Sequence, residues 1–166
     1  MTTFPTMDPE IAAATSALPM LDLTDVTAAR ALNTRLSEPG VGALSYDGVL
    51  VEEISAPGLD DDPDVRVHLL RPAGATGPLP LLLAIHGGGF VLGTVEEYDY
   101  FCLAVVRELG IAVASVDYRL APETPYPGPL DDCCAALAHL HRNAADLRLD
   151  ADRIAIAGTS AGGNLA

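Results

Sequence analysis

Residues 154–163 read Ile-Ala-Ile-Ala-Gly-Thr-Ser-Ala-Gly-Gly, and this stretch decides the fold. Four apolar residues of strand character, Ile154 to Ala157, run without a linker into Gly158-Thr159-Ser160-Ala161-Gly162, a G-x-S-x-G pattern. A strand that turns abruptly into a helix leaves no room for side chains two positions before and two after the turn, which is where the glycines stand. The serine between them takes a strained backbone and lifts its hydroxyl above the sheet. The pattern alone is short and recurs in glycine-rich loops, so its weight depends on what precedes it.

Upstream the chain alternates strands and helices. Leu81 to Ile85 and Ile111 to Val116 are nearly continuous apolar runs, the pattern of strands covered on both faces in a parallel sheet. Between them the spacing of Phe101, Val105 and Leu109 predicts a helix over Asp99 to Leu109, stopped by Gly110. Leu130, Cys133 or Cys134, Leu137 and Leu140 predict the next helix, before the strand Ile154 to Ala157. This β, α, β, α, β order implies a three-layer α/β sandwich with a mostly parallel sheet.

Two earlier strands are expected at Val49 to Ile54 and Val65 to Leu70, the second burying Val65, Val67 and Leu69, with a hairpin-type turn over Gly58 to Asp64. Residues 1–45 read as a helical arm. Asp8-Pro9-Glu10 supplies an N-cap, an N1 proline and an acidic first turn for a helix through Ile11 and Ala14. A second helix is expected within Leu21 to Leu36, capped by Asp22 or Thr24.

Composition narrows the function. The 166 residues carry a net charge of −14, which repels nucleic acid and anionic membrane surfaces. The longest apolar run, Leu79 to Ile85, is broken by Pro80 and too short to span a bilayer. Residues 1–10 show no basic segment followed by an apolar one, so the expected location is cytoplasmic. Cys102, Cys133 and Cys134 do not have the spacing of a disulfide framework or a zinc site and read as buried helix thiols. No metal site is expected from that spacing.

The second chemical feature is His86-Gly87-Gly88-Gly89-Phe90, at the end of the strand Leu81 to Ile85. Successive glycines let backbone amides face a site unobstructed, and such amides stabilise an oxyanion; removing one donor costs about 3 kcal/mol of transition-state stabilisation. The loop lacks the G-x-G-x-x-G or lysine-bearing pattern of phosphate cradles. A third stretch, Asp117-Tyr118-Arg119-Leu120-Ala121-Pro122-Glu123, follows Ile111 to Val116 and reads as a loop with an Arg119–Glu123 ion pair.

Together these segments resemble the hormone-sensitive-lipase family of α/β hydrolases, chiefly its bacterial esterase branch. The resemblance rests on His86 to Phe90, Asp117 to Glu123, Tyr126-Pro127 with Asp131, Asp152-Arg153-Ile154 and Gly158 to Ala166, and extends from about residue 45 onward. Met7 to Ile11 is also similar to the family's N-terminal cap helix. The resemblance implies an α/β-hydrolase fold divided into a cap arm, 1–45, and the N-terminal part of a catalytic domain, 46–166. It implies hydrolysis of small carboxylic esters with short or medium acyl chains, without cofactor. Carried over by motif, Ser160 is the nucleophile, the amides of Gly88, Gly89 and Ala161 form the oxyanion hole, His86 and Gly87 support that loop, and Asp117 to Glu123 brace it. Thr159 departs from the aspartate that many members carry.

In this fold the triad runs Ser, Asp or Glu, His, and no acid or histidine follows Ser160 in this sequence. His68, His86, His139 and His141 all precede it, and the last two, two positions apart, read as exposed decoration. The expectation is therefore a fold truncated after the nucleophile elbow, a segment of a chain of roughly twice this length. A ligand-binding protein or an inactive fragment on the same scaffold is the alternative.

Overall fold

The computed structural model describes residues 7–16, 19 and 21–166. Residues 1–6, on which some of the leader reading falls, lie outside the described residues. The elements run α1 (Pro9–Ser16), α2 (Val26–Val41), β1 (Val49–Ala56), β2 (Val65–Pro72), β3 (Leu79–Ile85), α3 (Val95–Leu109), β4 (Ala112–Asp117), α4 (Gly128–Arg142), β5 (Leu149–Gly158) and α5 (Ala161–Leu165). The five strands form one sheet in the order β1-β2-β4-β3-β5. β3 pairs in parallel with β4 and β5, while β2 pairs antiparallel with β1 and β4, so four strands share one direction and β2 alone opposes them. This is the mixed, mostly parallel sheet of the α/β-hydrolase fold.

The sheet is covered on both faces, as the continuous apolar runs require. Leu81, Leu83 and Ile85 point with Val67, Leu69, Ala114 and Val116 towards Cys133, Ala136 and Leu140 of α4. Ala84, Leu70 and Val113 point the other way, against Tyr98, Cys102, Leu103 and Val106 of α3. β2 therefore departs from the one-faced alternation expected of it. Leu70 is fully buried and His68 nearly so, because α3 covers the face that a free hairpin would give to water.

α3 begins at Val95 rather than Asp99. Thr94 caps it, accepting from the Glu97 amide at 3.2 Å, and Gly110 ends it in the left-handed region at φ 64°. Its buried stripe is Tyr98, Cys102 and Val106 flanked by Val95, Asp99 and Leu103. The expected stripe lies about 100° round the helix, and Leu109 is exposed. On α4 the buried cysteine is Cys133, and Cys134 is exposed, contrary to the reading of all three as buried. His141 is exposed and His139 half-buried, beside Asn143. α2 starts after Asp25, whose carboxylate accepts from the Ala28 amide at 2.9 Å. Asp22 instead closes a local turn on Thr24, and Leu36 is exposed.

β3 lies between the other two strands of the parallel set and carries the loop that bears the glycines, so its packing supports everything above it. Truncating Leu83, 1% exposed, to alanine should lower stability by about 2–5 kcal/mol. Urea unfolding checks this, and a loss below about 1 kcal/mol would show that β3 is not tightly packed.

Candidate active site

β3 and β5 are neighbours in register from Leu81↔Ile154 to Ile85↔Gly158, so the loops leaving their carboxyl ends emerge side by side. From β5 the chain turns at Gly158, Thr159 and Ser160 into α5. Ser160 has φ 53° and ψ −117°, a backbone that serine holds only where its surroundings impose it. The glycines show what imposes it. A Cβ on Gly162 would strike the carbonyl oxygens of Ile85 and His86, and a Cβ on Gly158 would strike that of Gly162. The Thr159 amide donates to Ile85 O at 3.3 Å, tying the turn to the end of β3.

The loop after β3 meets this turn face on. A Cβ on Gly87 would stand 3.4 Å from Ser160 Cβ and 3.0 Å from Thr159 O. Gly88 has φ 124°, and a Cβ there would run into Leu92 O, so only glycine closes the turn in which the Val91 and Leu92 amides donate to Gly88 O at 3.1 and 2.9 Å. The amides of Gly88, Gly89 and Ala161 donate to no described residue. The structure thus brings together Ser160, Gly87, Gly88, Gly89 and Ala161 from two separate loops.

His86 lies beneath the loop rather than in the site. Its ring is 2% exposed, stacks on Tyr118 at a centroid distance of 4.2 Å, and sits 2.7 Å from Gly87 O through Nδ1. Burial pushes its pKa below the usual 6.5. The neutral ring with its proton on Nδ1 donates to Gly87 O, which steadies the glycine chain. Tyr118 adds a second tie, donating its hydroxyl to His86 O at 3.0 Å. Burial also raises the Tyr118 pKa, so that hydroxyl remains a donor.

The segment Asp117 to Glu123 packs under the same loop, but with a different ion pairing from the expected one. Arg119 pairs with Asp132 of α4, 1% exposed, and with Asp62, at 2.7 and 2.8 Å. Glu123 faces outward from the turn and pairs instead with Arg30 of α2, whose guanidinium draws the Glu123 carboxyl down to about 2. Arg119 turns inward because its amide and side chain both converge on the Asp132 carboxylate. Tyr118 could have been found within a quoted motif. Arg30 carries no local signal, being one arginine in an ordinary amphipathic pattern.

Two hollows flank the glycine loop. One, of about 350 Å³, is lined by His86, Gly87, Gly88, Tyr98, Thr94 and Thr159. The other, of about 410 Å³, is lined by Phe90, Ala121, Tyr126, Leu130, Asn164 and Leu165 and is mainly apolar. Among the described residues no group of three or more acidic, histidine or cysteine side chains is placed to hold a metal ion. No described helix is long and apolar enough to cross a membrane.

A strained serine between a strand and a helix, facing a glycine loop at the head of a parallel sheet, is the geometry of the α/β hydrolases. Residues 82–166 match a family described as having the alpha/beta hydrolase fold, and the chain belongs to that family. Its relatives place it with the hormone-sensitive-lipase group. It is 44% identical over 108 residues to carboxylesterase NlhH of Mycobacterium tuberculosis, covering 65% of this chain and 34% of that protein. It is 38% identical over 128 residues to hormone-sensitive lipase of Bos taurus, covering 75% and 17%. Among solved structures, a bacterial heroin esterase superposes with a TM-score of 0.92 at 54% identity, covering 99% of this chain and 52% of that esterase. The chain therefore spans about a third of the length of that carboxylesterase and about half of that esterase.

Two outcomes follow from this packing. Tyr118→Phe removes the donor to His86 O without changing the stack and should cost about 1–3 kcal/mol in chemical denaturation; no change would mean that the carbonyl finds another donor. Because burial lowers the His86 pKa, the unfolded chain takes up that proton first. The stability from the neutral ring is complete above pH 6.5 and is lost as pH falls from there towards the folded-state value. The thermal midpoint should drop between about pH 7.5 and about pH 5.5, and His86→Gln should flatten some of that slope; equal slopes in both proteins would contradict it.

Proposed function

We propose that this chain carries the nucleophile and oxyanion hole of a serine carboxylesterase acting on esters with short to medium acyl chains. The observation that supports it most is the backbone of Ser160, held at φ 53° against a loop whose Gly88 and Gly89 amides are free to donate. Structures do not keep a strained, exposed serine beside unused amides without the surrounding packing to impose it, and here the Gly158 and Gly162 approaches impose it.

In this reading Ser160 Oγ attacks the ester carbonyl carbon, and the carbonyl oxygen takes the electron pair. The amides of Gly88, Gly89 and Ala161 receive that oxyanion; collapse expels the alcohol and leaves an acyl group on Ser160, which water then removes. The apolar hollow beside Phe90 and Leu165 is large enough for a short or medium chain. The attack also needs a base for the serine proton. Among the described residues no histidine or carboxylate hydrogen-bonds to Ser160, and His86 is occupied with Gly87 O. The triad acid and histidine are therefore assigned to residues beyond 1–166, in keeping with relatives about twice as long or more.

The test is reaction of the 166-residue protein with a fluorophosphonate and with p-nitrophenyl butyrate, beside Ser160→Ala. Because the general base is missing from these residues, only slow phosphonylation, confined to Ser160, and ester turnover roughly 10⁶-fold short of a complete triad are expected. Rapid Ser160-dependent turnover would place a working base within these residues. Tight retention of the unhydrolysed butyrate ester would favour a ligand-binding role.

A further inference from the structure

α2 belongs to the arm that precedes the sheet, yet one of its side chains reaches the two loops that build the site. Arg30 donates through Nε to Val91 O at 2.8 Å and through a terminal nitrogen to Ala121 O at 2.9 Å. The same guanidinium holds both carboxylate oxygens of Glu123 at 2.8 Å. Val91 is the residue where the glycine loop ends, and Ala121 lies in the segment that follows β4. The two loops are joined directly as well, by the Ala121 amide donating to Phe90 O at 2.9 Å.

We propose that Arg30 is a positioning residue for the oxyanion loop, so that the N-terminal arm contributes to the esterase site. This rests on the ester-hydrolase reading above. The turn that aims the Gly88 and Gly89 amides is closed by the Val91 and Leu92 amides on Gly88 O. At its far end the loop has no strand or helix to hold it until Val95. Arg30 supplies that hold by fixing the Val91 carbonyl against the Ala121 carbonyl. The ion pair with Glu123 is the lesser contribution, since Glu123 is 64% exposed and water screens it. Its use is to orient the planar fork, so that the remaining donors meet two carbonyls at once. A lysine, with a single compact ammonium, cannot satisfy both carbonyls and the carboxylate in that arrangement.

Amide hydrogen exchange on the 166-residue protein separates this role from general stabilisation. The reporters are the Val91, Leu92 and Ala121 amides, with Leu82, Leu83 and Val113 in β3 and β4 as reference. In Arg30→Ala the three reporters should lose about tenfold in protection while the reference amides hold theirs. Arg30→Lys should show a smaller loss at the same three positions, and it carries the comparison if Arg30→Ala does not fold. Glu123→Gln should change them by less than about threefold, because the guanidinium still meets both carbonyls. Saturation kinetics of Ser160 phosphonylation, measured in a longer form that carries the triad acid and histidine, give a second readout: the maximal rate should fall in Arg30→Ala with the half-saturating concentration unchanged. Equal protection in all proteins, or a loss shared by β3 and β4, would overturn the proposal. A Ser160 that stays unreactive even in a longer form carrying the triad acid and histidine, with the exchange differences intact, would overturn the esterase reading and leave the Arg30 clamp standing.

Discussion

The backbone of α5 touches the backbone at the end of β3 with nothing between them, and most of the site depends on that contact. Gly162 lies against the Ile85 and His86 carbonyls so closely that even a methyl group would be excluded. The approach sets the entry angle of α5, which forces Ser160 into its positive φ and turns it towards the glycine loop. It also explains why strands remote in sequence must be neighbours in space, since only a strand beside β3 can deliver a serine to that spot. Steric permission, rather than any attractive interaction, is the governing term.

Attractive contacts act in the layer below. The His86 ring and the Tyr118 ring stack beneath the loop, and each also ties a polar atom to the backbone of the glycine segment or of its first residue. Keeping His86 neutral avoids burying a charge, while its ring proton serves a carbonyl that would otherwise be unanswered. Arg119 anchors the next segment on the buried Asp132 of α4, so the loop rests on groups drawn from the end of β4 and from α4.

The features of this structure legible in the sequence are those governed by local rules. Apolar runs long enough to be covered on both sides marked β3 and β4, Gly110 marked the end of α3, and the spacing of glycines about Ser160 marked the elbow. Boundaries that rest on a single cap were less legible: Thr94 begins α3 four residues before the apolar stripe suggested, and Asp25 rather than Asp22 begins α2. Pairings across the fold were not legible at all. Arg119 and Glu123 are close in sequence, but a buried carboxylate on α4 and an arginine on α2 outcompete the local partner. Arg30 lay outside any pattern because its importance depends on which carbonyls fold to within reach of it.

The strand order has a consequence in time. β5 pairs with β3 alone, on the edge away from β4, so Leu81 waits for Ile154, a partner made much later in synthesis. Contacts between such distant segments close slowly. The elbow is therefore among the last features to assemble, and the serine acquires its unusual backbone only after the scaffold that constrains it exists. A nascent or misassembled chain consequently holds an ordinary backbone at Ser160, and the strained one comes only once β5 is paired with β3.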